Sequence, residues 1–326
     1  MDYHAVAEQR RAEPRFVQRD VRAREPVADE LARTLAATPS HIDPKLLYDD
    51  LGSRLFTAIT LLPEYYPTRC EAEIFARHGA DIAQAAGEIN TIVDLGAGDC
   101  SKGEALLQYF DVAQYVPVDI SARHMGEAAA RIAHARPALD VLALGLDLSG
   151  PLDLPVEVID ERRLFVYAGS SIGNLAPAQA RELLGELCDA CRGGGLLVGV
   201  DRVKPREVLE PAYDDALGVT AAFNLNVLRH ANHILGADFD VRDWRHVARY
   251  EPAGSRMEMH LQARRALTVT WPTGFRRYDA GESIHTENSY KYQPEDFSAM
   301  LREAGFDSVA HWTDRRGWFS VFLARA

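Results

Sequence analysis

The stretch TIVDLGAGDCSKGEALLQYF, residues 91–110, decides the fold of this chain. Its apolar start has the pattern of a short buried strand, which is followed by the glycines Gly96 and Gly98 and then by a helical pattern from Ser101. A strand that passes through a glycine turn into a helix presents free backbone N–H groups and the positive end of the helix dipole at the carboxyl edge of a sheet. The stretch therefore predicts a ligand site at that edge.

The region around this stretch alternates between strand-like and helical segments. The predicted strands are 91–95, 115–119, 141–147, 163–169 and 195–201. The predicted helices between them are 101–110, 121–135 and 176–192. Because strand, helix and strand repeat in this order, the sequence predicts an α/β fold with a doubly wound, Rossmann-like parallel sheet.

The alternation stops in the second half of the chain. Residues 213–235 predict a long helix, and residues 255–271 and 281–292 resemble strands. We interpret 205–290 as a second, smaller α+β unit inserted into the first. Residues 295–326 predict a helix, a strand, a polar turn and a closing strand, which would complete the first sheet.

Composition and charge are typical of a soluble protein with a sizeable core. The 326 residues are 47% hydrophobic and 26% charged, and the formal net charge is -12. This charge argues against a nucleic-acid partner, because neutralising phosphates needs a basic face. No run approaches the roughly 18 apolar residues of a membrane helix, and the N-terminus lacks the apolar stretch of a signal peptide. We therefore expect a cytoplasmic monomer without a membrane partner, whose residues 8–26, of mixed charge, form a solvated helix or arm.

The four cysteines are too few and too scattered for a disulfide framework. Only Cys188 and Cys191 have the CxxC spacing of a metal or redox pair. They share a helical face with Leu183, Leu184 and Leu187, and no second CxxC or nearby histidine accompanies them. We therefore interpret them as part of a packed core and expect no metal.

The charges of the glycine turn distinguish between possible ligands. The dinucleotide fingerprint is incomplete, because Ser101 occupies the place of its third glycine. Asp94 and Asp99 would also repel a pyrophosphate. S-adenosylmethionine carries an ammonium, a carboxylate and a sulfonium but no phosphate, so carboxylates for its ammonium and Lys102 for its carboxylate are complementary to it. We therefore predict an S-adenosylmethionine site in which Gly96 and Gly98 form the turn.

Two further acids follow the next two strands. Asp119 is placed to accept hydrogen bonds from both ribose hydroxyls, and Asp147 could accept one from the adenine amino group. Each acid could instead be an ordinary solvated loop residue. Three successive strands that end in an acid favour a cofactor site, because open α/β sheets bind ligands at the carboxyl ends of their strands.

Several segments resemble known methyltransferases. DLGAGDCSKG (94–103), YVPVDIS (115–121) and Asp147 resemble the cofactor motifs of class I S-adenosylmethionine-dependent methyltransferases. More specifically, the chain resembles the L-histidine Nα-methyltransferases of ergothioneine biosynthesis. The matching segments are YDDLGSRLFTAITLLPEYYPTRCEAEI (48–74), YAGSSIGNL (167–175), YDDALGVTAAFNLNVL (213–228), ADFD (237–240) and TENSYKY (286–292).

The resemblance implies trimethylation of histidine to hercynine and a division of the chain by role. Residues 1–69 and 205–290 would form the substrate-binding domain. Residues 70–204 and 291–326 would form the S-adenosylmethionine-binding domain, in which Leu148 stands where an aromatic residue often flanks adenine.

The resemblance also implies where the amino-acid part of the substrate binds. Tyr65 would line the pocket between both ligands with Tyr48 behind it, although paired tyrosines before a proline are otherwise typical of a core rim. Asn174 would hold the substrate carboxylate together with Tyr213, and the alternative for Asn174 is a helix cap. The small residues Gly169 and Ser171 would lie near the reacting amine.

Substrate identity depends on the strand IHTENSYKY, residues 284–292. Alternation places Glu287 and Ser289 on one face together with Lys291, and a carboxylate and a hydroxyl at this spacing could bind an imidazole N–H. The resemblance implies this use, with Met259 packed against the ring, whereas a surface strand would have the same pattern. Other hypotheses are a related enzyme acting on another amine, a nicotinamide-dependent oxidoreductase, and a non-catalytic binding protein.

Overall fold

The computed structural model describes residues 13–19, 24–120, 122–148, 150 and 152–326. The strands are β1 (Arg15–Gln18), β2 (Ser40–His41), β3 (Thr91–Leu95), β4 (Gln114–Asp119), β5 (Asp140–Gly145), β6 (Arg163–Tyr167), β7 (Gly195–Asp201), β8 (Trp244–Glu251), β9 (Arg256–Ala263), β10 (Leu267–Trp271), β11 (Gly274–Tyr278), β12 (Ser283–Tyr290), β13 (Ser308–Thr313) and β14 (Phe319–Arg325). The helices are α1 (Arg24–Ala36), α2 (Asp50–Thr60), α3 (Tyr66–Ala86), α4 (Ser101–Leu106), α5 (Ala122–Ala135), α6 (Pro177–Ala190), α7 (Arg206–Leu209), α8 (Val219–Leu235) and α9 (Pro294–Glu303). Within these described ranges, no helix has both the length and the apolar character needed to cross a membrane.

The chain divides into two compact units. The first comprises the described residues 13–19, Pro67–Arg202 and Tyr292–Ala326. The second comprises the described part of Val21–Tyr66 together with Val203–Lys291. The N-terminal boundary differs from the predicted one, because β1 pairs with β5 of the first unit. The remainder of the predicted N-terminal arm lies largely outside the described residues.

The first unit contains an eight-stranded sheet in the order β1-β5-β4-β3-β6-β7-β14-β13. The pairs from β1 to β7 are parallel, and β14 lies antiparallel to both β7 and β13. The chain builds outward from β3 through β4 to β5 and then returns to place β6 on the other side of β3. This reversal is the topological switch point at which doubly wound sheets bind ligands. The predicted doubly wound α/β fold is confirmed.

The centre of this sheet is buried on both faces. Every residue of β3, β6 and β7 is buried, which explains why these segments are nearly continuous apolar runs. The CxxC segment belongs to the same core, because Cys191 is fully buried and the leucines of its helical face are buried with it. The predicted C-terminal helix and two strands are present as α9, β13 and β14.

The second unit contains the four-stranded sheet β2-β12-β9-β8 and the hairpin β10-β11. Its long helix α8 begins at Val219, six residues later than predicted. Gly218 has a φ of +75°, and the carboxylate of Asp215 accepts the N–H groups of Val219 and Thr220. Because this carboxylate caps the helix, the preceding residues leave the helical pattern that the sequence suggested.

Strand β12 has one irregularity that matters for the site. Its pairing with β9 shifts between His285 and Glu287, so that Thr286 and Glu287 are both buried. Beyond the shift the strand alternates regularly, with Glu287 and Ser289 buried and Asn288 and Tyr290 half-buried. The bulge therefore sets which side chains of β12 face the interior of the second unit.

Candidate active site

The backbone N–H groups of the glycine turn after β3 donate hydrogen bonds that fix its conformation. Gly96 and Gly98 have φ values of +67° and +55°, which favour glycine. The N–H of Gly96 donates to the carbonyl of Val118 at 2.8 Å, and the N–H of Gly98 donates to Oδ2 of Asp119 at 2.9 Å. A Cβ added at either glycine would meet no atom within 4 Å. The turn therefore borders open space, as a cofactor cradle requires.

Asp94 lies beneath this turn and is 2% exposed. Its Oδ2 accepts the hydroxyl of Tyr115 at 2.7 Å, and a Cβ at Gly103 would collide with both groups. Burial raises the pKa of Asp94 to about 7, against the lowering effects of Tyr115 and Lys102. Asp94 is therefore a buried, titratable group rather than a solvated loop acid.

The other predicted cofactor residues also lie at the carboxyl ends of strands in the first unit. Asp119 ends β4, and one of its oxygens fixes the glycine turn as described above. Asp147 follows β5 and is buried, with the half-buried Leu148 next to it. Burial argues against the solvated-loop alternative for Asp147, whereas its predicted contact with adenine stays a prediction.

Glu71 on α3 is a site residue that was not predicted from the sequence. It is 1% exposed, its Oε2 lies 3.0 Å from Nζ of Lys102, and its Oε1 accepts the N–H of Gly169 at 2.8 Å. A Cβ at Gly199 would collide with this carboxylate, and one at Gly169 would lie 2.5 Å from the Lys102 ammonium. Glu71 therefore connects the helix after the glycine turn to the turn after β6. The sequence does contain one indication that Glu71 is buried, because this acid lies within the apolar helical face formed by Cys70, Ile74 and Phe75.

The turn after β6 contains three predicted site residues. Gly169 has a φ of +75°, and the hydroxyl of Ser171 donates to the carbonyl of Ala168 at 3.0 Å. Asn174 ends the short 3-10 helix Ser171–Asn174. Helix α6 has its N-cap two residues later, at Ala176, where the side chain of Gln179 accepts the backbone N–H. The capping alternative for Asn174 therefore does not apply.

The predicted acceptor residues of the second unit form one aromatic and polar cluster. Tyr65 is buried, with its ring 6.1 Å from that of Phe56 and 6.4 Å from that of Tyr213. The ring of Tyr48 lies 5.6 Å from Phe56 and 5.5 Å from Phe223. These edge-to-face contacts fix the orientation of each ring.

Strand pairing brings the predicted ring-binding residues together. Glu287 on β12 is the direct partner of Met259 on β9, and Ser289 is the partner of Met257. All four side chains are buried. Because direct partners project from the same face of a sheet, Met259 lies beside Glu287. The alternative of a random surface strand is therefore wrong.

Lys291 completes this cluster and received no role in the sequence analysis. Its side chain is buried, and its Nζ donates to Oη of Tyr213 at 2.8 Å and to Oγ of Ser289 at 2.7 Å. The hydroxyl of Tyr213 in turn donates to Oγ of Ser289 at 2.8 Å. Tyr213 and Ser289 were predicted to bind opposite ends of the substrate, and in the structure their hydroxyls are hydrogen-bonded directly.

The fold and the donor site define the class of protein. A doubly wound sheet with acids at the carboxyl ends of three successive strands and an open glycine turn is the arrangement of a class I S-adenosylmethionine-dependent methyltransferase. The profile of the family described as "Histidine-specific methyltransferase, SAM-dependent" matches residues 27–326. The chain belongs to this family, and the predicted family is confirmed.

Similar proteins support the same membership. The "Histidine N-alpha-methyltransferase" of Mycolicibacterium smegmatis is 42% identical over 309 residues, which cover 93% of this chain and 95% of that protein. The protein of the same name from Mycobacterium tuberculosis is 41% identical over 298 residues, which cover 89% and 92%. "Ergothioneine biosynthesis protein 1" of Neurospora crassa is 30% identical over 286 residues, which cover 84% of this chain and 32% of that longer protein. The predicted enzyme class, an S-adenosylmethionine-dependent amino-acid N-methyltransferase, is confirmed.

The role of Glu71 leads to a stability prediction. Replacing Glu71 by Gln keeps an oxygen for the Gly169 N–H but removes the negative charge beside Lys102. We expect a loss of about 1–3 kcal/mol in the free energy of unfolding, measured by urea denaturation. The matched control is Glu73→Gln on the same helix. Its partly exposed carboxylate lies beside Arg77 and accepts the backbone N–H of Arg315, for which Gln keeps an oxygen, so this variant should lose less than about 0.5 kcal/mol. Equal stability of the two variants would contradict the role given to Glu71.

The raised pKa of Asp94 leads to a pH prediction for the donor site. Below about pH 7 Asp94 carries a proton and has no charge to attract the ligand ammonium. We expect the Kd for S-adenosylhomocysteine, measured by calorimetry, to rise about tenfold per pH unit below that value and to level off above it. Asp94→Asn should bind at every pH about as weakly as the wild type does with Asp94 protonated and should lose this dependence, whereas Asp99→Asn, at an exposed acid of the same turn, should keep it. An unchanged pH dependence in Asp94→Asn would refute the assignment.

Proposed function

We propose that this chain transfers three methyl groups from S-adenosylmethionine to the α-amine of L-histidine and so forms hercynine in ergothioneine biosynthesis. Family membership supports histidine as the acceptor. The observation that carries the proposal is the buried pair Glu287 and Ser289 on one face of β12.

This pair suits an imidazole ring in both chemistry and spacing. Residues two apart on a strand are separated by about 7 Å, which is wide enough for a five-membered ring held by a hydrogen bond at each side. Glu287 would accept a ring N–H, and Met259 beside it would pack against the ring face. Asn174 would donate its amide to the carboxylate. Tyr213 could do so only by giving up its hydrogen bond to Ser289.

The donor site fits S-adenosylmethionine, which when bound supplies an electrophilic methyl carbon on a sulfonium. Open space next to Gly96 and Gly98 would accommodate the ligand against the backbone. Asp94 would attract the ammonium, Asp119 would hold the ribose and Asp147 the adenine. Lys102 has three N–H donors, so it could hold the ligand carboxylate while keeping its contact with Glu71.

The protein's part in the transfer is to align and desolvate the amine. An in-line displacement needs neither a covalent nucleophile nor a Lewis acid, so we propose no metal. Gly169 and Ser171 are small enough to leave room for a growing trimethylammonium group, and the face of Tyr65 would attract its charge. The amine must lose a proton before each transfer, and water or a nearby tyrosine hydroxyl could relay it.

Localisation, oligomeric state and partners are properties of the whole protein. We propose a cytoplasmic monomer whose partners are its small substrates. A net charge of -12 supports the lack of a nucleic-acid partner.

Mass spectrometry of a reaction with S-adenosylmethionine and a pool of amino acids tests the proposed function. We expect histidine alone to gain three methyl groups, with S-adenosylhomocysteine as the second product. Methylation of another amino acid in place of histidine would establish the alternative substrate.

Glu287 is the residue on which histidine recognition depends. We expect Glu287→Ala to lower kcat/KM for histidine at least 100-fold, because a buried ring N–H loses its charged acceptor, while the Kd for S-adenosylhomocysteine stays unchanged. The matched control is Glu258→Gln, at a buried acid on the opposite face of the same sheet, which should retain histidine turnover. Unchanged histidine kinetics in Glu287→Ala would remove the substrate assignment.

A further inference from the structure

Lys291 is a charged residue in the interior of the second unit. It is 3% exposed, and its ammonium lies on the ring of Tyr213, 4.8 Å from the centroid, in addition to its two hydrogen bonds. A buried ammonium is stable only where acceptors replace water. Two of its hydrogen bonds go to the hydroxyls of Tyr213 and Ser289, which can also donate, so Lys291 limits how these hydroxyls can be used.

The hydrogen-bonding capacity of Ser289 follows from a count of lone pairs and protons. A hydroxyl oxygen has two lone pairs and one proton. Lys291 donates to one lone pair of Ser289 at 2.7 Å, and Tyr213 donates to the other at 2.8 Å. Ser289 therefore has no lone pair left for a ligand, and its own proton is what it can offer.

We propose that Lys291 is a positioning residue that makes Ser289 a hydrogen-bond donor to the acceptor ring and so selects the neutral imidazole. This inference rests on the proposed function, in which Glu287 and Ser289 hold the ring. Glu287 accepts the N–H of one ring nitrogen, and Ser289 donates to the lone pair of the other. An imidazolium has no such lone pair, because both of its nitrogens carry a proton.

Lys291 and Glu287 act on the charge of a bound ring in opposite directions. The Lys291 ammonium would lie about 5 Å from the ring nitrogen, two hydrogen-bond lengths away, and would repel an imidazolium. Glu287 would attract it. On β8, His246 lies 2.8 Å from the carbonyl of Tyr213, and burial lowers its pKa, so it adds no charge at neutral pH.

The strand and loop residues next to Glu287 and Ser289 also bear on the charge of a bound ring. The neighbours of Glu287 and Ser289 on β9 are Met259 and Met257, which are uncharged. Asp214 and Asp215 follow Tyr213 in the chain, and the carboxylate of Asp215 is engaged by the first N–H groups of α8. The missing lone pair and the repulsion by Lys291 both favour the neutral ring, so the neutral form should bind more tightly.

Binding of hercynine to the enzyme, with S-adenosylhomocysteine held at a saturating concentration at every pH, tests this inference. Hercynine has no titratable amine, so between about pH 5.5 and 8 only its ring, with a pKa near 6.5, changes charge. We expect the Kd of the wild-type protein to rise about tenfold per pH unit below the ring pKa. In Lys291→Met this rise should be abolished, because Ser289 regains a lone pair and the repelling cation is gone.

A second buried lysine provides the matched control. Lys204 donates to the hydroxyl of Tyr66 at 2.9 Å and lies 4.5 Å from its ring centroid, so Lys204→Met removes the same kind of interaction elsewhere in this unit. It should keep the acid rise in Kd. Ser289→Ala gives an independent test should Lys291→Met fold poorly: it removes the donating hydroxyl and leaves only the repulsion by Lys291, so its acid rise should be smaller than that of the wild type.

The outcomes separate this inference from the proposed function. If hercynine does not bind the wild-type protein at any pH while S-adenosylhomocysteine does, the proposed function fails. If hercynine binds and the acid rise is equal in the wild type and Lys291→Met, only the role of Lys291 fails. If the wild-type Kd falls on acidification, Tyr213 has turned its proton to the ligand carboxylate and freed a lone pair on Ser289, and the inference is overturned.

Discussion

The carboxylate of Glu71 is almost completely buried, and a buried charge is tolerated only where a partner charge and hydrogen-bond donors replace water. Here the partner is Lys102, and the donor is the backbone N–H of Gly169. Lys102 belongs to α4, the helix after β3, and Gly169 to the turn after the neighbouring strand β6. The conformation of both turns at the switch point of the sheet therefore depends on this one carboxylate.

The same constraint explains the glycines around it. Gly199 must lack a side chain because a Cβ would overlap the Glu71 carboxylate, and Gly103 because a Cβ would overlap Asp94 and Tyr115. At Gly96 and Gly98 the requirement is the backbone conformation, since the space beside them is open. Gly199 and Gly103 are therefore required by close packing, and Gly96 and Gly98 by backbone conformation. Only Gly96 and Gly98 border space for a ligand.

The sequence was sufficient for the parts of the fold that depend on local pattern. The central strands lie where the apolar runs placed them, because a parallel sheet covered on both faces needs continuous apolar segments. Glu71 and Lys291 were not predicted as site residues. The apolar face around Glu71 indicates burial, but the groups that give each charge its role are brought to it only by tertiary structure. The start of α8 was misplaced for a related reason, since the cap at Asp215 competes with a helical pattern that the sequence alone favours.

The two units use buried charge for different purposes. In the first unit the carboxylate of Glu71 satisfies backbone and lysine donors, and its effect is to hold chain segments in place. In the second unit the ammonium of Lys291 engages two hydroxyls, and its effect is to set the direction in which their protons point. Hydroxyl groups are poor at discrimination on their own, because each can donate or accept as the ligand requires. A fixed cation behind them removes that freedom, and in our proposal this makes Ser289 selective for the protonation state of a ring.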